Sequence, residues 1–352
     1  MHRLHRRRHV NKRAALARVF EATGISGLAL AVQRCVGSPW LPILTFHRAR
    51  DIDDAFELDE GVVDTTPDEL ARHVATVRRF FTPIGTAELI AHVEGAPLPT
   101  NPILISFDDG YRDNFEIALP ILRRHDVKAM FFIATTYVTE RRVFWWDHIS
   151  YLVKRARRAT LALSYPRDVE FDLSTTAARR AAQVALFRMV KSSFRIDLAR
   201  LLEDLSRATA VAWTDAIERR LADEHVMTWN HVRALRAAGM DVESHSRSHR
   251  VLQTLDAAQL ADELRGSRDD LERELGVPVR AISYPVGNRI TDRRDIRDAL
   301  ASAGYQVGLT NATGINPAWR RSDRFDVGRI GMDSRTPEAT FRALLAAPSL
   351  FS

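Results

Sequence analysis

Three short stretches hold residues whose types and spacing suit a hydrolytic site. Ser106-Phe107-Asp108-Asp109-Gly110 sets two adjacent carboxylates at the end of an apolar run. Neighbouring carboxylates repel one another unless a cation or a shared proton intervenes. The economical division of labour is one metal ligand and one general base. Gly110 lets the chain turn sharply beside a ligand. His245-Ser246-Arg247-Ser248-His249 places two imidazoles at a spacing from which both can reach one metal. No Glu follows the first His, so the helical zinc-protease motif is not matched. Added to one carboxylate, the pair gives a two-His, one-Asp set that leaves positions open for water and substrate. In the third stretch, Arg280 to Gly287, Pro285 and Gly287 fix a loop whose backbone N–H groups can face a developing oxyanion. Arg280 can orient a carboxylate by a bidentate contact.

These stretches need elements that bring them together. Residues 43–46 read as a buried strand ending at His47, and 103–107 as an apolar strand running into Asp108. Further strands are predicted at 127–133, 240–243, 280–284, 305–309 and 327–330. Helices are predicted at 67–79 (Thr66 as N-cap, Pro67 in the first turn), 114–125, 229–238, 257–275, 292–303 and 336–346. Strands alternating with helices indicate a parallel α/β architecture. In a parallel barrel the loops that follow the strands gather at one end, where distant motifs meet. Residues 140 to about 226 break this rhythm. They are rich in Ala, Arg and Leu, and read as a mainly helical insertion with a small excursion near 169–173.

Bulk composition narrows the partners. The single Cys35 excludes an internal disulfide framework and a cysteine-rich zinc site. Residues 1–18 carry seven Arg or Lys and no acid, so with a net charge of +6 the rest sums to −1. The body therefore lacks the basic excess of a nucleic-acid binder. The basic start can touch anionic lipid headgroups, and Leu16, Val19 and Phe20 fall on one helical face. Residues 25–36 are interrupted by Ser26, Gly27, Gln33 and Arg34 and lack a clean signal-peptide core. The expected location is cytoplasmic, with peripheral contact to an anionic membrane through residues 1–18.

In order and spacing, the three motifs resemble those of the polysaccharide deacetylase family, carbohydrate esterase family four, defined by the NodB homology domain. Ser106 stands where Thr is usual and Ile282 in a Phe position. Lys128-Ala129-Met130-Phe131-Phe132 and Gly239-Met240-Asp241-Val242-Glu243-Ser244 agree with the family's surrounding text, and Trp145-Trp146-Asp147 is similar to a segment of some members. The resemblance implies a distorted (β/α)7 barrel over 41–352, carrying the 140–226 insertion and preceded by a basic segment and helix over 1–40. It implies Asp109, His245 and His249 as ligands of one divalent ion, with zinc expected and cobalt, nickel or another cation as alternatives. Asp108 matches the base, Arg280 the residue that steadies it, and Tyr284 the position whose backbone N–H helps hold the oxyanion. The implied reaction is removal of N-acetyl groups from a saccharide. A hydrolase of small amides or ureides on the same barrel, or a carbohydrate-binding protein without activity, are the alternatives.

One departure matters. The family's usual general acid is a histidine in a late Leu-x-His motif, and no histidine follows His249 here. His47, in Leu44-Thr45-Phe46-His47-Arg48, resembles an early histidine of deacetylases acting on exported poly-N-acetylglucosamine. It alone directly follows a predicted strand outside the metal motif, and is expected to be the acid.

Overall fold

The computed structural model describes residues 15–352 apart from 313, 315, 320, 335 and 352. Most of the basic start, including Arg3, Arg6, Arg7, Arg8, Lys12 and Arg13, lies outside the described residues. Seven strands share one curled parallel sheet: β1 Ile43–Phe46, β2 Pro102–Phe107, β3 Met130–Ile133, β4 Asp241–Ser244, β5 Ala281–Ser283, β6 Val307–Leu309 and β7 Ile330–Gly331. Their spatial order is β6-β5-β4-β3-β2-β1-β7, and Thr82–Pro83 adds a short strand beside the start of β2. The two ends of this row meet through one parallel bridge, Leu309 to Val327, so the sheet curls into the expected distorted barrel. The predicted strand over 327–330 narrows to Ile330–Gly331, with Val327 contributing only that bridge.

Alternation along the strands decides what lies inside. Ile43, Leu104, Met130, Phe132, Ala281, Val307 and Leu309 form one buried cluster in the barrel interior. The other face packs under helices, with Phe46, Phe107 and Phe131 stacked in register at centroid distances of 5.5 and 5.1 Å. Two residues further along the inward face stand Thr45, Ser106 and Ser283, all fully buried. The interior thus turns from hydrocarbon to hydroxyl at the C-terminal ends of the strands, the place to which the motifs are delivered.

Two helices begin the described chain, α1 Ala15–Ala22 and α2 Ile25–Val36, bent 73° apart. No single helix among the described residues is long and apolar enough to cross a membrane, although this bent pair passes the same test by length and composition. Helix α3, Pro67–Phe80, starts as expected: the Thr66 side chain accepts from the Glu69 N–H at 3.2 Å. A helix over Thr86–Glu94 falls where none is predicted. The stretch over 114–124 opens as a π turn before Leu119–Arg124 because Pro120 lacks the N–H that an α ladder needs. The insertion is helical, with α4 Trp145–Lys154, α5 Thr176–Ser192, α6 Leu198–Thr209 and α7 Asp215–His225. An antiparallel hairpin pairs Thr160–Leu163 with Val169–Asp172 between α4 and α5.

Candidate active site

The polar interior ends in a salt bridge. Asp108 follows Ser106 by two residues and so keeps facing inward, fully buried. Arg329, also fully buried, meets it as a fork: Nη1 lies 2.8 Å from Oδ1 and Nη2 lies 2.7 Å from Oδ2. The rest of the guanidinium is spent nearby. Nη2 donates to Ser283 Oγ at 2.7 Å, Nη1 to Ser106 Oγ at 3.2 Å and Nε to the Thr310 carbonyl at 3.2 Å. Ser283 Oγ in turn donates to Asp108 at 3.1 Å. Burial opposes ionisation of Asp108, but the Arg329 guanidinium beside it outweighs this and holds the carboxyl well below the usual range.

This corrects the expectation for Arg280. That residue precedes β5, at the end of the strand away from the motifs, and its backbone N–H donates to buried Glu243 at 2.8 Å. Arg329 makes the bidentate contact instead, from the opposite edge of the sheet.

At Asp109 the backbone turns to φ +77°, which swings its carboxylate off the inward line of Asp108. His245 Nε2 and His249 Nε2 each lie 3.3 Å from Asp109 Oδ1. The His245 Nδ1–H donates to the Ser283 carbonyl at 2.8 Å, which fixes the neutral tautomer and aims its Nε2 lone pair at the carboxylate. Asp109 Oδ1 is buried and has no hydrogen bond. Three ligand atoms within 4.8 Å of one another, gathered around a buried carboxylate oxygen that has no hydrogen bond, are a poor arrangement for a protein alone and a good one for a cation. Ligands about 2.0–2.2 Å from one ion at a near-tetrahedral angle stand about as far apart as these pairs do.

The second histidine is carried by a tightly held loop. Glu263, buried on the 257–275 helix, accepts from the N–H groups of Arg247 and Ser248 at 2.9 and 2.8 Å and from the Ser248 hydroxyl. Ser246 and His249 take left-handed φ values of +62° and +56°. Trp146 of α4 lies against the His249 ring, with centroids 4.5 Å apart. Its indole N–H donates to the Tyr111 hydroxyl at 2.7 Å, and Tyr111 donates to Asp147 at 2.9 Å.

His47 ends β1 on the other side of the same pocket. Its Nδ1 and its backbone N–H both face Asp64 Oδ2, at 2.9 and 2.6 Å, leaving Nε2 for the pocket. Burial pulls the imidazole down, but Asp64, with Asp109 and Asp108 beyond it, more than offsets this and raises it to about 9. Asp64 and Glu263 were not singled out from the sequence.

Tyr284 departs from expectation. Its N–H donates to the Leu309 carbonyl at 3.0 Å, so the sheet uses the amide expected to face an oxyanion. Its hydroxyl donates to the Phe325 carbonyl at 2.9 Å. Val286, two residues on, lines the pocket with φ +64°. His47, Asp108, Asp109, His245, His249, Tyr284 and Val286 all border one cavity of about 240 Å3.

A family model described as polysaccharide deacetylase matches residues 95–163 and 198–308, about half of the chain. The chain belongs to this family. It is therefore a hydrolase of carbon–nitrogen bonds other than peptide bonds, a carbohydrate deacetylase. Among solved structures it is similar to the Streptococcus pyogenes deacetylase PplD in complex with acetate, with TM-score 0.55 and 16% identity, covering 86% of this chain and 96% of that one. It is also similar to IcaB from Ammonifex degensii, with TM-score 0.55 and 14% identity over 88% of this chain and 99% of the other. The Bacillus cereus polysaccharide deacetylase BC0361 aligns with TM-score 0.54 and 14% identity, covering 87% of this chain and 69% of that one. At such identities the likeness establishes the NodB-type barrel. No curated protein matches.

Proposed function

We propose that this chain is a metal-dependent deacetylase that hydrolyses the acetamide of an N-acetylated saccharide. One observation carries the reading: three converging ligand atoms, a carboxylate forked by a buried guanidinium and an imidazole paired with Asp64 border a single cavity. Asp109, His245 and His249 would hold the divalent ion, with zinc the expected occupant of a two-His, one-Asp set. Once bound, it would polarise the acetamide carbonyl and acidify a water molecule.

The remaining chemistry belongs to side chains of this chain. Asp108, kept anionic and aligned by Arg329 and Ser283, takes the proton of the attacking water. The Pro285–Gly287 turn, with Val286 at the cavity wall, supplies backbone dipoles for the carbonyl oxygen in place of the Tyr284 amide. Protonated His47, held by Asp64, passes a proton from Nε2 to the departing amine. Acetate and a free amino sugar are the products.

Acetate release from purified N-acetylated saccharides, compared with small cyclic amides and ureides, tests the reading. Turnover of the saccharides that disappears in Asp108→Asn supports it. Turnover confined to the cyclic amides, or saccharide binding without any turnover, would replace it with one of the two alternatives. We also keep residues 1–18 as a peripheral contact for anionic membrane. It is supported by exposed Leu16 and Val19 beside the basic start, while Phe20 packs edge-on against Phe351.

A further inference from the structure

The 164–197 stretch lies between the two ranges matched by the family model, yet it reaches the reaction cavity. Phe187 and Lys191 stand four residues apart on α5, hence on one face, and both border the cavity that holds Asp108 and Asp109. Phe187 is set edge-on against Trp145, with centroids 5.7 Å apart and planes at 87°. Trp146 adds a second aromatic wall whose only N–H is already given to Tyr111. The apolar part of the cavity therefore offers ring surface and no donor.

The polar part is a pair of opposite charges. Lys191 is exposed at the mouth, and its ammonium makes no hydrogen bond or ion pair among the described residues. Asp59 borders the same cavity. Its Oδ1 accepts the Gly61 N–H at 3.0 Å, its own N–H is held by Asp147 at 2.9 Å, and Oδ2 makes no hydrogen bond among the described residues. An idle donor and an idle acceptor above aromatic walls match a sugar ring, which has apolar C–H faces and hydroxyls that both give and accept. The pair is neutral in sum, so an acidic sugar would gain from Lys191 and lose to Asp59. At about 240 Å3 the cavity is smaller than the roughly 300–1,000 Å3 pockets of drug-sized ligands, which suits a single ring.

The geometry points to a sugar subsite built by the insertion: Lys191 and Asp59 grip hydroxyls of the uncharged N-acetylhexosamine unit whose acetamide is cleaved, and Phe187 covers its ring. This rests on the deacetylase reading above. Lys191 acts through binding, and the proton transfers belong to other residues.

The test uses the metal-loaded full chain and three substrates: a neutral N-acetylglucosamine oligomer, an N-acetylated oligomer containing uronate, and 4-nitrophenyl acetate. Loss of a hydrogen bond to a charged group weakens binding by about tenfold or more. Lys191→Met should therefore raise KM for the neutral oligomer by about tenfold, with kcat little changed and 4-nitrophenyl acetate hydrolysis unaffected. Lys191→Arg should restore most of the loss, and Phe187→Ala should also raise KM. An unchanged KM in Lys191→Met, an equal fall in ester hydrolysis, or a Lys191 dependence confined to the uronate oligomer would overturn the inference. If the wild type turns over no saccharide, oligomer binding to the same variants decides. Lys191-dependent affinity would keep the subsite while the deacetylase reading fails, and no affinity would sink both.

Discussion

Replacing Arg329 by Gln should convert a permanently ionised base into a titrating one. Arg329 and Asp108 are both essentially unexposed and joined by contacts of 2.7 and 2.8 Å. Removing one partner of a buried pair costs about 3–5 kcal/mol, because the other charge is left unpaired. Asp108 can relieve that cost by taking up a proton. At about 1.4 kcal/mol per pKa unit, even the lower figure lifts it by roughly two units. The sign follows from linkage. With its folded pKa depressed, Asp108 stabilises the wild type above the unfolded carboxylate range, and that contribution fades as pH falls through the folded value. In Arg329→Gln the folded pKa is no longer depressed, so the variant is weakest near pH 7 and the gap to wild type narrows on acidification. Urea unfolding at several pH values reads the stability. The pH dependence of kcat/KM reads the base, as an acid limb that moves up into the weakly acidic range. Metal content measured over the same range separates protonation of Asp108 from loss of the ion. Arg280→Gln, at the far end of β5, should move neither quantity. A variant at Arg329 with wild-type stability and an unmoved acid limb, or an Arg280 variant that shifts it, would refute this assignment.

Four further outcomes are expected. His47, raised to about 9, should impose an alkaline limb near that pH, and Asp64→Asn should bring the limb down toward the ordinary imidazole value of about 6.5; His47→Ala should abolish it, and an alkaline limb unchanged in both variants would exclude His47 as the acid. The stability that the His47–Asp64 contact adds is present below the unfolded histidine pKa and lost as pH rises through about 9, which urea midpoints on either side of that pH can check. His245→Ala should lose most of the bound divalent ion by elemental analysis, since His245 is one of three ligand positions, whereas equal metal content in wild type and variant would remove the proposed ligand set. Full-length protein should bind anionic vesicles better than a form lacking residues 1–18, with salt weakening the difference, and equal binding by both would count against the membrane contact.

What the sequence disclosed, and what it did not, follows from distance along the chain. Asp108 and His245 directly follow strands, with Asp109 and His249 in the same short loops, so local pattern was enough to find them and to predict that they meet. Arg329 lies 221 residues from the carboxylate it holds, and nothing local distinguishes it from Arg280, which neighbours a motif but enters its strand from the wrong end. Asp64 is 17 residues from His47, on the short strand Val63–Thr65, a pairing that only the folded chain brings about. The family resemblance implied that the amide of Tyr284 faces the oxyanion, whereas the ladder between β5 and β6 runs one residue further and takes it. The helix over Thr86–Glu94 did leave a readable trace: Glu88 reaches back to the Gly85 N–H at 3.0 Å, a capping pattern visible as a Glu three residues after a Gly. Phe187 and Lys191 could be placed on one helical face from their spacing alone. Which way that face points depends on how the insertion docks.

The row of strands ends at β6 and β7, and the backbone joins these ends through the short Leu309–Val327 bridge and three hydrogen bonds, from Gly308 to Arg324, Thr310 to Val327 and Val327 to Gly308. The side chain of Arg329 leaves the β7 edge and fastens to Thr310 just beyond β6, to Ser283 on β5 and to Ser106 on β2. The same guanidinium therefore rivets the seam and aligns the base. Mutational drift that frees this scaffold from catalysis has an easier route through the metal ligands, none of which spans the seam, than through Asp108 and Arg329, whose loss would weaken it. A descendant that had forgotten the reaction would be expected to keep this ion pair long after its histidines had changed.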